Sequence, residues 1–247
     1  MMKFVCNPNL PLNKVKTVIC GVLCDELNSY LDSCSIERIV IEANEHIDCA
    51  VKYHADMAAI HLGKDEILLD CHQQGLGRIL KEKGFSVYFT AKEIKGEYPN
   101  DIALNFAVFG ENFLGKVDYA DESLMKLTQN LKRISVKQGY AKCSCLIVSD
   151  NAIITDDESI YKTLINNGVD VLLISKGDVR LDGHGYGFIG GASCKISSDE
   201  VLFFGDITKH RDYKKIADFI EKYCFKILSL DFPLTDFGGI IPIIEEA

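Results

Sequence analysis

One pattern is written five times along this chain of 247 residues: a polar or glycine-containing step, a short strand, an acidic turn, an apolar strand, an amphipathic helix and a third strand. The middle strand, helix and third strand read Thr17–Cys20, Asp25–Ser33 and Arg38–Ile41 in the first unit, then Glu66–Leu69, a helix to Lys83 and Phe85–Phe89 in the second. They recur as Asn112–Leu114, a helix to Leu131 and Arg133–Val136; as Ala152–Ile154, a helix to Asn166 and Val171–Ile174; and as Val201–Phe204, a helix to Tyr223 and Lys226–Leu230. A period near forty residues marks a propeller, solenoid or array, because one such unit cannot bury its apolar face alone. The first unit lacks an opening strand, and the C-terminal run Asp236–Ile243 supplies a strand with no unit of its own. If that strand pairs beside Thr17–Cys20, five units close into a ring and no sheet edge is left at the seam.

The reading is therefore one α/β domain over residues 1–247, a five-bladed αβ-propeller of ββαβ units. The units span about 12–44, 50–90, 98–136, 138–175 and 184–230, with a closing strand at 236–244. Apolar residues make up 47 % of the chain, enough for a sizeable core. Helical spacing assigns Ile160, Leu164 and Ile165, and Ile216, Phe219 and Ile220, to core-facing stripes behind the acidic starts Asp157 and Asp212. A formal net charge of −9 disfavours nucleic acid and anionic membranes as partners. No run is long and apolar enough to span a bilayer and Met1–Leu12 does not read as a signal peptide, so the expected compartment is the cytoplasm. Ten cysteines without a Cys-x-x-Cys pair read as reduced thiols rather than disulfide or zinc ligands.

Function has to come from the strand entries, where the units differ. In a ring of fivefold pseudosymmetry equivalent positions converge on the axis, which would gather His54, Asp56, Asn100, Asp101, Lys142, Cys143, Ser193 and Asp236 in one central pocket. Buried polar groups at that density need partners or a ligand. A plain packing role competes for the cysteines, since Cys143 and Cys145 alternate to one face of a regular strand while Lys142 faces away.

Over nearly its whole length the chain resembles the penteins, the five-bladed propellers of guanidine-modifying enzymes such as arginine deiminase, agmatine deiminase, dimethylarginine dimethylaminohydrolase and amidinotransferase. The segments His54–Met57, Tyr98–Ile102, Lys137–Cys143 and Tyr186–Ala192 resemble, more narrowly, a bacterial family of that fold. The segment Gly139–Ser144 is similar to the strand carrying the nucleophilic cysteine in dimethylarginine hydrolases, and His54 with Ala-Asp-Met to the segment of the catalytic histidine. Asp236-Phe-Gly-Gly239 resembles the Asp-Gly-Gly segment that precedes that histidine, displaced here to the chain's end as in a circular permutation. The resemblance implies a guanidine- or amidine-directed hydrolase with Cys143, His54 and Asp236 catalytic and Asp56 and Asp101 holding the cationic substrate through its fork of N–H donors. Asn100, Lys142 and Ser193 would complete the pocket.

Cys194, behind the glycine pair Gly190-Gly191, resembles the nucleophile setting of arginine and agmatine deiminases and is the alternative thiol; His184, in the glycine-rich segment Asp182–Gly187, would sit at the pocket mouth. No metal or organic cofactor is implied, the expected partner is a small guanidine- or amidine-containing molecule, and a homodimer stays open. The ribosome anti-association initiation factor is a pentein without catalysis, so a binding or scaffold role is the alternative. His46, His61, His72 and His210 receive solvated or hydrogen-bonded roles.

Overall fold

A computed structural model describes residues 2–247. Strand β1 (Met2–Phe4) precedes the first blade, made of β2 (Val15–Cys20), α1 (Asp25–Ser33) and β3 (Glu37–Val40). The second blade holds α2 (Ala55–Ala58), β4 (Ala59–Gly63), β5 (Glu66–Leu69), α3 (Gln74–Glu82) and β6 (Ser86–Phe89). The third has β7 (Ala107–Phe109), β8 (Asn112–Gly115), α4 (Glu122–Leu127) and β9 (Lys132–Ser135). The fourth has β10 (Cys145–Ser149), β11 (Ala152–Thr155), α5 (Glu158–Asn166) and β12 (Asp170–Leu173). The fifth has β13 (Ser193–Lys195), β14 (Glu200–Phe203), α6 (Tyr213–Lys222) and β15 (Lys226–Leu228), before the closing strand β16 (Ile240–Glu246). In every blade the first strand is antiparallel to the second, and the second parallel to the third through the helix.

The seam closes as the sequence predicts: β16 pairs antiparallel with β2, Ile240 opposite Cys20 and Ile241 opposite Ile19. The four-stranded sheet this makes runs β1-β16-β2-β3, so β1 adds an outer strand that the sequence pattern did not show.

Closure of the ring is visible in the core. Five apolar clusters each join two neighbouring blades, and together they link all five in a cycle. Along β11, Ile153 packs toward the third blade while Ala152 and Ile154 pack toward the fifth. Along β5, Ile67 and Leu69 pack toward the first blade and Leu68 toward the third. Strands buried on both faces cannot alternate apolar with polar, which explains the unbroken apolar runs of the middle strands.

The helices cover the outside. Asp157 caps α5 by accepting hydrogen bonds from the Ser159 and Ile160 N–H groups at 2.8 and 3.0 Å. Asp212 makes no such cap; it accepts from the Ser175 N–H at 2.7 Å and from Lys215 Nζ at 2.7 Å, tying α6 to the preceding blade. Ile160, Leu164, Ile216 and Ile220 are fully buried, whereas Ile165 is exposed and leaves the expected stripe. Helix α4 stops at Leu127, four residues short of the expected Leu131, where Thr128 Oγ1 donates back to the Leu124 carbonyl at 2.7 Å. No helix among the described residues is long and apolar enough to cross a membrane.

Candidate active site

At the axis the five blade entries are tied in a circuit. The Asp56 N–H donates to the Gly238 carbonyl at 3.1 Å, and Asn105 Nδ2 to the Asp56 carbonyl at 3.3 Å. The Lys142 N–H donates to Asn105 Oδ1 at 2.9 Å, the Gly191 N–H to the Cys143 carbonyl at 3.0 Å, and the Gly239 N–H to the Gly191 carbonyl at 3.0 Å. Blades two, three, four and five and the closing strand are thus joined in succession and back to the start. Asn105 is the only link in this series made by a side chain.

Cys143 stands in this circuit. Residues 140–144 form a helical turn ahead of β10, with the Ser144 N–H on the Tyr140 carbonyl at 3.0 Å, so strand alternation does not govern them. The thiol donates to Asp56 Oδ2 at 2.9 Å and receives Asn105 Nδ2 at 3.0 Å. Burial, then the charges of Asp56 and Asp236, hold it well above the ordinary thiol range. Asp56 is itself pushed up to about 6 by burial, against the pull of His54 and Lys142. Burial and the nearby charges both favour the neutral thiol.

His54, 5 % exposed, precedes the short helix α2. Its Nδ1 lies 3.9 Å from Asp236 Oδ1, beyond hydrogen-bond reach, and has no hydrogen-bond partner. Asp236 is fixed by the Gly238 N–H on Oδ1 and the Phe188 N–H on Oδ2, both at 2.9 Å. The ligating atoms of His54, Asp56 and Cys143 lie within 4.8 Å of one another, a spacing that a soft metal ion could also bridge if the thiol ionised.

Above these groups opens a cavity of about 220 Å³, lined by His54, Cys143 and Asp236 at its base and by Tyr140, Tyr186 and Phe188 on its wall. At the mouth, His184 Nε2 faces Asp48 Oδ2 at 3.5 Å, and both residues also line a wider outer groove with Asp101 and Tyr140.

Of the residues that the sequence sends to one pocket, Cys143, His54, Asp236 and His184 line it. Asp56 lies behind the thiol. Asp101 lines the outer groove, where its Oδ2 accepts from the Tyr140 hydroxyl at 2.7 Å and burial raises its carboxyl. Asn100 is exposed in a turn, and the inward asparagine of that entry is Asn105. Lys142 turns to the opposite side of the axis, into small spaces shared with Asp56 and with Ser193 and Cys194. Ser193 Oγ donates to the Ile189 carbonyl at 2.6 Å. Cys194 packs between the fifth and first blades, its thiol pushed up to about 12 by burial. Of the eight entry residues expected to converge, only His54, Cys143 and Asp236 line the cavity, because the entries mix irregular turns with strand (Ser193 opens β13) and share no common register. Asn105 went unread although it stands as a lone polar residue between Leu104 and Phe106, a recognisable signal for a buried hydrogen-bonding group.

Replacing Asn105 with alanine removes its bonds to Asp56, Lys142 and Cys143 and strands buried partners. It is expected to cost about 3 kcal/mol, read as a lower urea midpoint with an unchanged slope.

A protein-family model described as a family of unknown function (DUF6873) matches residues 19–241. No curated protein matches in sequence. Among solved structures, an amidinotransferase of the saxitoxin biosynthetic pathway from Microseira wollei superposes with a TM-score of 0.61 at 12 % identity, covering 96 % of each chain. The inosamine-phosphate amidinotransferase of Streptomyces griseus gives 0.57 at 10 %, covering 97 % of each. A variant DDAH from Pseudomonas aeruginosa, complexed with citrulline, gives 0.54 at 12 %, covering 88 % of this chain and 92 % of its own. These likenesses establish the pentein fold.

Proposed function

Since the chain belongs to the DUF6873 family, whose description carries no activity, its function has to be argued from its own pocket, and we propose a guanidine- or amidine-directed hydrolase acting through Cys143. The observation that carries this reading is the thiol at the base of an aromatic-walled cavity, with His54 and Asp236 beside it. The chemistry named for the structural neighbours, amidino transfer and agmatine deimination among it, agrees with that class. A flat delocalised cation suits the faces of Tyr140, Tyr186 and Phe188, with Asp236 as the counter-charge.

On this reading the substrate takes a part in its own activation. Asp56 and Asp236 oppose ionisation of the thiol, and a guanidinium held in the cavity against Asp236 brings a positive charge that offsets that opposition. The thiol proton passes to His54 and the thiolate adds to the guanidinium carbon, forming a C–S bond. His54 returns the proton to the departing amine as the C–N bond breaks. Water then adds to the S-linked carbon, giving a proton to His54; collapse to the urea carbonyl breaks the C–S bond and restores the thiol. One C–N bond is exchanged for a C=O bond, with water as co-substrate.

The test is a panel of guanidines and amidines assayed for ammonia or amine release, with acid-quenched protein analysed for an amidino adduct on the Cys143 peptide. Turnover with that adduct supports the reading, and no turnover across the panel removes it.

Binding without turnover is the second reading, and the raised pKa of the Cys143 thiol favours it. The two part on alkylation kinetics. Asp56→Asn deletes a charge that raises the thiol pKa, so iodoacetamide should label Cys143 faster at pH 8, by about tenfold for each pKa unit lost. For the enzyme, a bound guanidinium should accelerate labelling of the parent protein by smaller reagents in the same sense. A ligand that only shields Cys143 speaks for the binding protein.

A further inference from the structure

Away from the pocket, His46, His72 and Glu93 converge where the loops that follow β3, β5 and β6 meet the surface. His72 Nε2 lies 3.2 Å and His46 Nε2 3.7 Å from the same oxygen, Glu93 Oε1. The two imidazoles stack with centroids 5.5 Å apart and planes at 30°, and the ligating atoms of all three residues fall within 4.8 Å of one another. An ion pair accounts for one protonated histidine against one carboxylate. It does not account for two, because stacked imidazolium rings repel each other at this separation.

The support behind the cluster is that of a coordination site. Asp70, fully buried, presents Oδ2 3.5 Å from His72 Nδ1 and accepts Asn44 Nδ2 on the same oxygen at 3.1 Å. A carboxylate on the far nitrogen of a histidine favours the tautomer that leaves Nε2 free to ligate. Asn44 Oδ1 receives the His46 N–H at 3.0 Å, so both histidines hang on one hydrogen-bonded support. Lys95 Nζ occupies the other Glu93 oxygen at 2.9 Å, leaving Oε1 to the imidazoles. Two imidazole nitrogens and a carboxylate oxygen suit zinc, cobalt or nickel, with water at the remaining position, and suit magnesium or calcium poorly.

We propose that His46, His72 and Glu93 bind a divalent transition-metal ion, zinc by its donor set, which clips the loop of residues 42–53 to the loops that follow β5 and β6. That loop carries Asp48 and Val51 into the pocket wall, so the ion would fix one side of the cavity mouth. The site is independent of any chemistry at Cys143.

The experiment uses the full chain stripped of metal, titrated with Zn²⁺ against a chromophoric chelator and with Co²⁺ followed by absorption. One Zn²⁺ per chain is expected, with affinity lowered at least about tenfold in His46→Ala, His72→Ala and Glu93→Gln, and about tenfold in Asp70→Asn. Cys143→Ala should bind normally, and the Co²⁺ complex should show no thiolate charge-transfer band. His46 and His72 side chains are 58 % and 39 % exposed, so these variants should melt like the parent, which a thermal scan checks. Three results overturn the site: no stoichiometric binding, affinity indifferent to His46 and His72, or a thiolate band lost with Cys143, which would put the ion at the pocket base or on no built site.

Discussion

If Cys143 is the nucleophile of the proposed hydrolase, replacing it with serine is expected to abolish turnover of any guanidine on which the parent protein acts, by at least about a thousandfold in kcat/KM, while leaving ligand binding within a few-fold. Serine keeps the hydrogen bonds available to Asp56 and Asn105 but is far less acidic than the thiol, so a charge-compensating substrate no longer yields a competent nucleophile. Binding is read from the ligand-induced rise in melting temperature, and chemistry from product release. A variant that binds and does not turn over isolates the role of the sulfur. Equal rates in serine variant and parent would remove Cys143 from the reaction. The same substitution at Cys194 should leave kcat/KM within a few-fold, since that thiol lies between blades and away from the cavity.

The largest effect on stability is expected at Gly238. Its φ is +76°, and a Cβ there would fall 2.2 Å from His54 Cβ and 2.3 Å from His54 Cα. Gly238→Ala therefore combines a left-handed backbone cost with an overlap against the backbone of His54, two residues before Asp56 of the axial circuit. Together these should amount to about 3 kcal/mol or more. Gly168 separates the two contributions: its φ is +80° but nothing lies within 4 Å of a Cβ, so Gly168→Ala should cost only about 1 kcal/mol. Urea unfolding of both variants measures the difference. A Gly238→Ala protein as stable as Gly168→Ala would mean that His54 and the closing strand can yield.

The repeat was legible because each blade hides a strand that is buried on both faces, so residues such as Ile153 and Ile154 need a neighbouring unit on either side. The seam was legible for the same reason, in the orphan strand after Asp236. Strand β1 was not, since Met2–Phe4 is short and largely exposed and carries no apolar pattern. The axis was legible in part. His54, Cys143 and Asp236 are set by motif-like turns, while the direction of Lys142 against Cys143 depends on a helical turn that period-two reasoning cannot see. Asn100 and Asn105 illustrate the limit: both are asparagines in one irregular stretch, and only the Asp56 and Lys142 backbone groups across the axis decide which turns inward. His46 and His72 were read singly, and their meeting needs the loops of three strands to be placed together.

The axial circuit also fixes how the molecule comes apart. A stack of repeats with free ends can fray, losing its outermost unit while the rest persists. Here the amides of Asp56, Lys142, Gly191 and Gly239 each bond a neighbouring entry, so none is released until its neighbours are. Their solvent exchange is then expected to follow global opening, with no blade of the ring shed while the others persist.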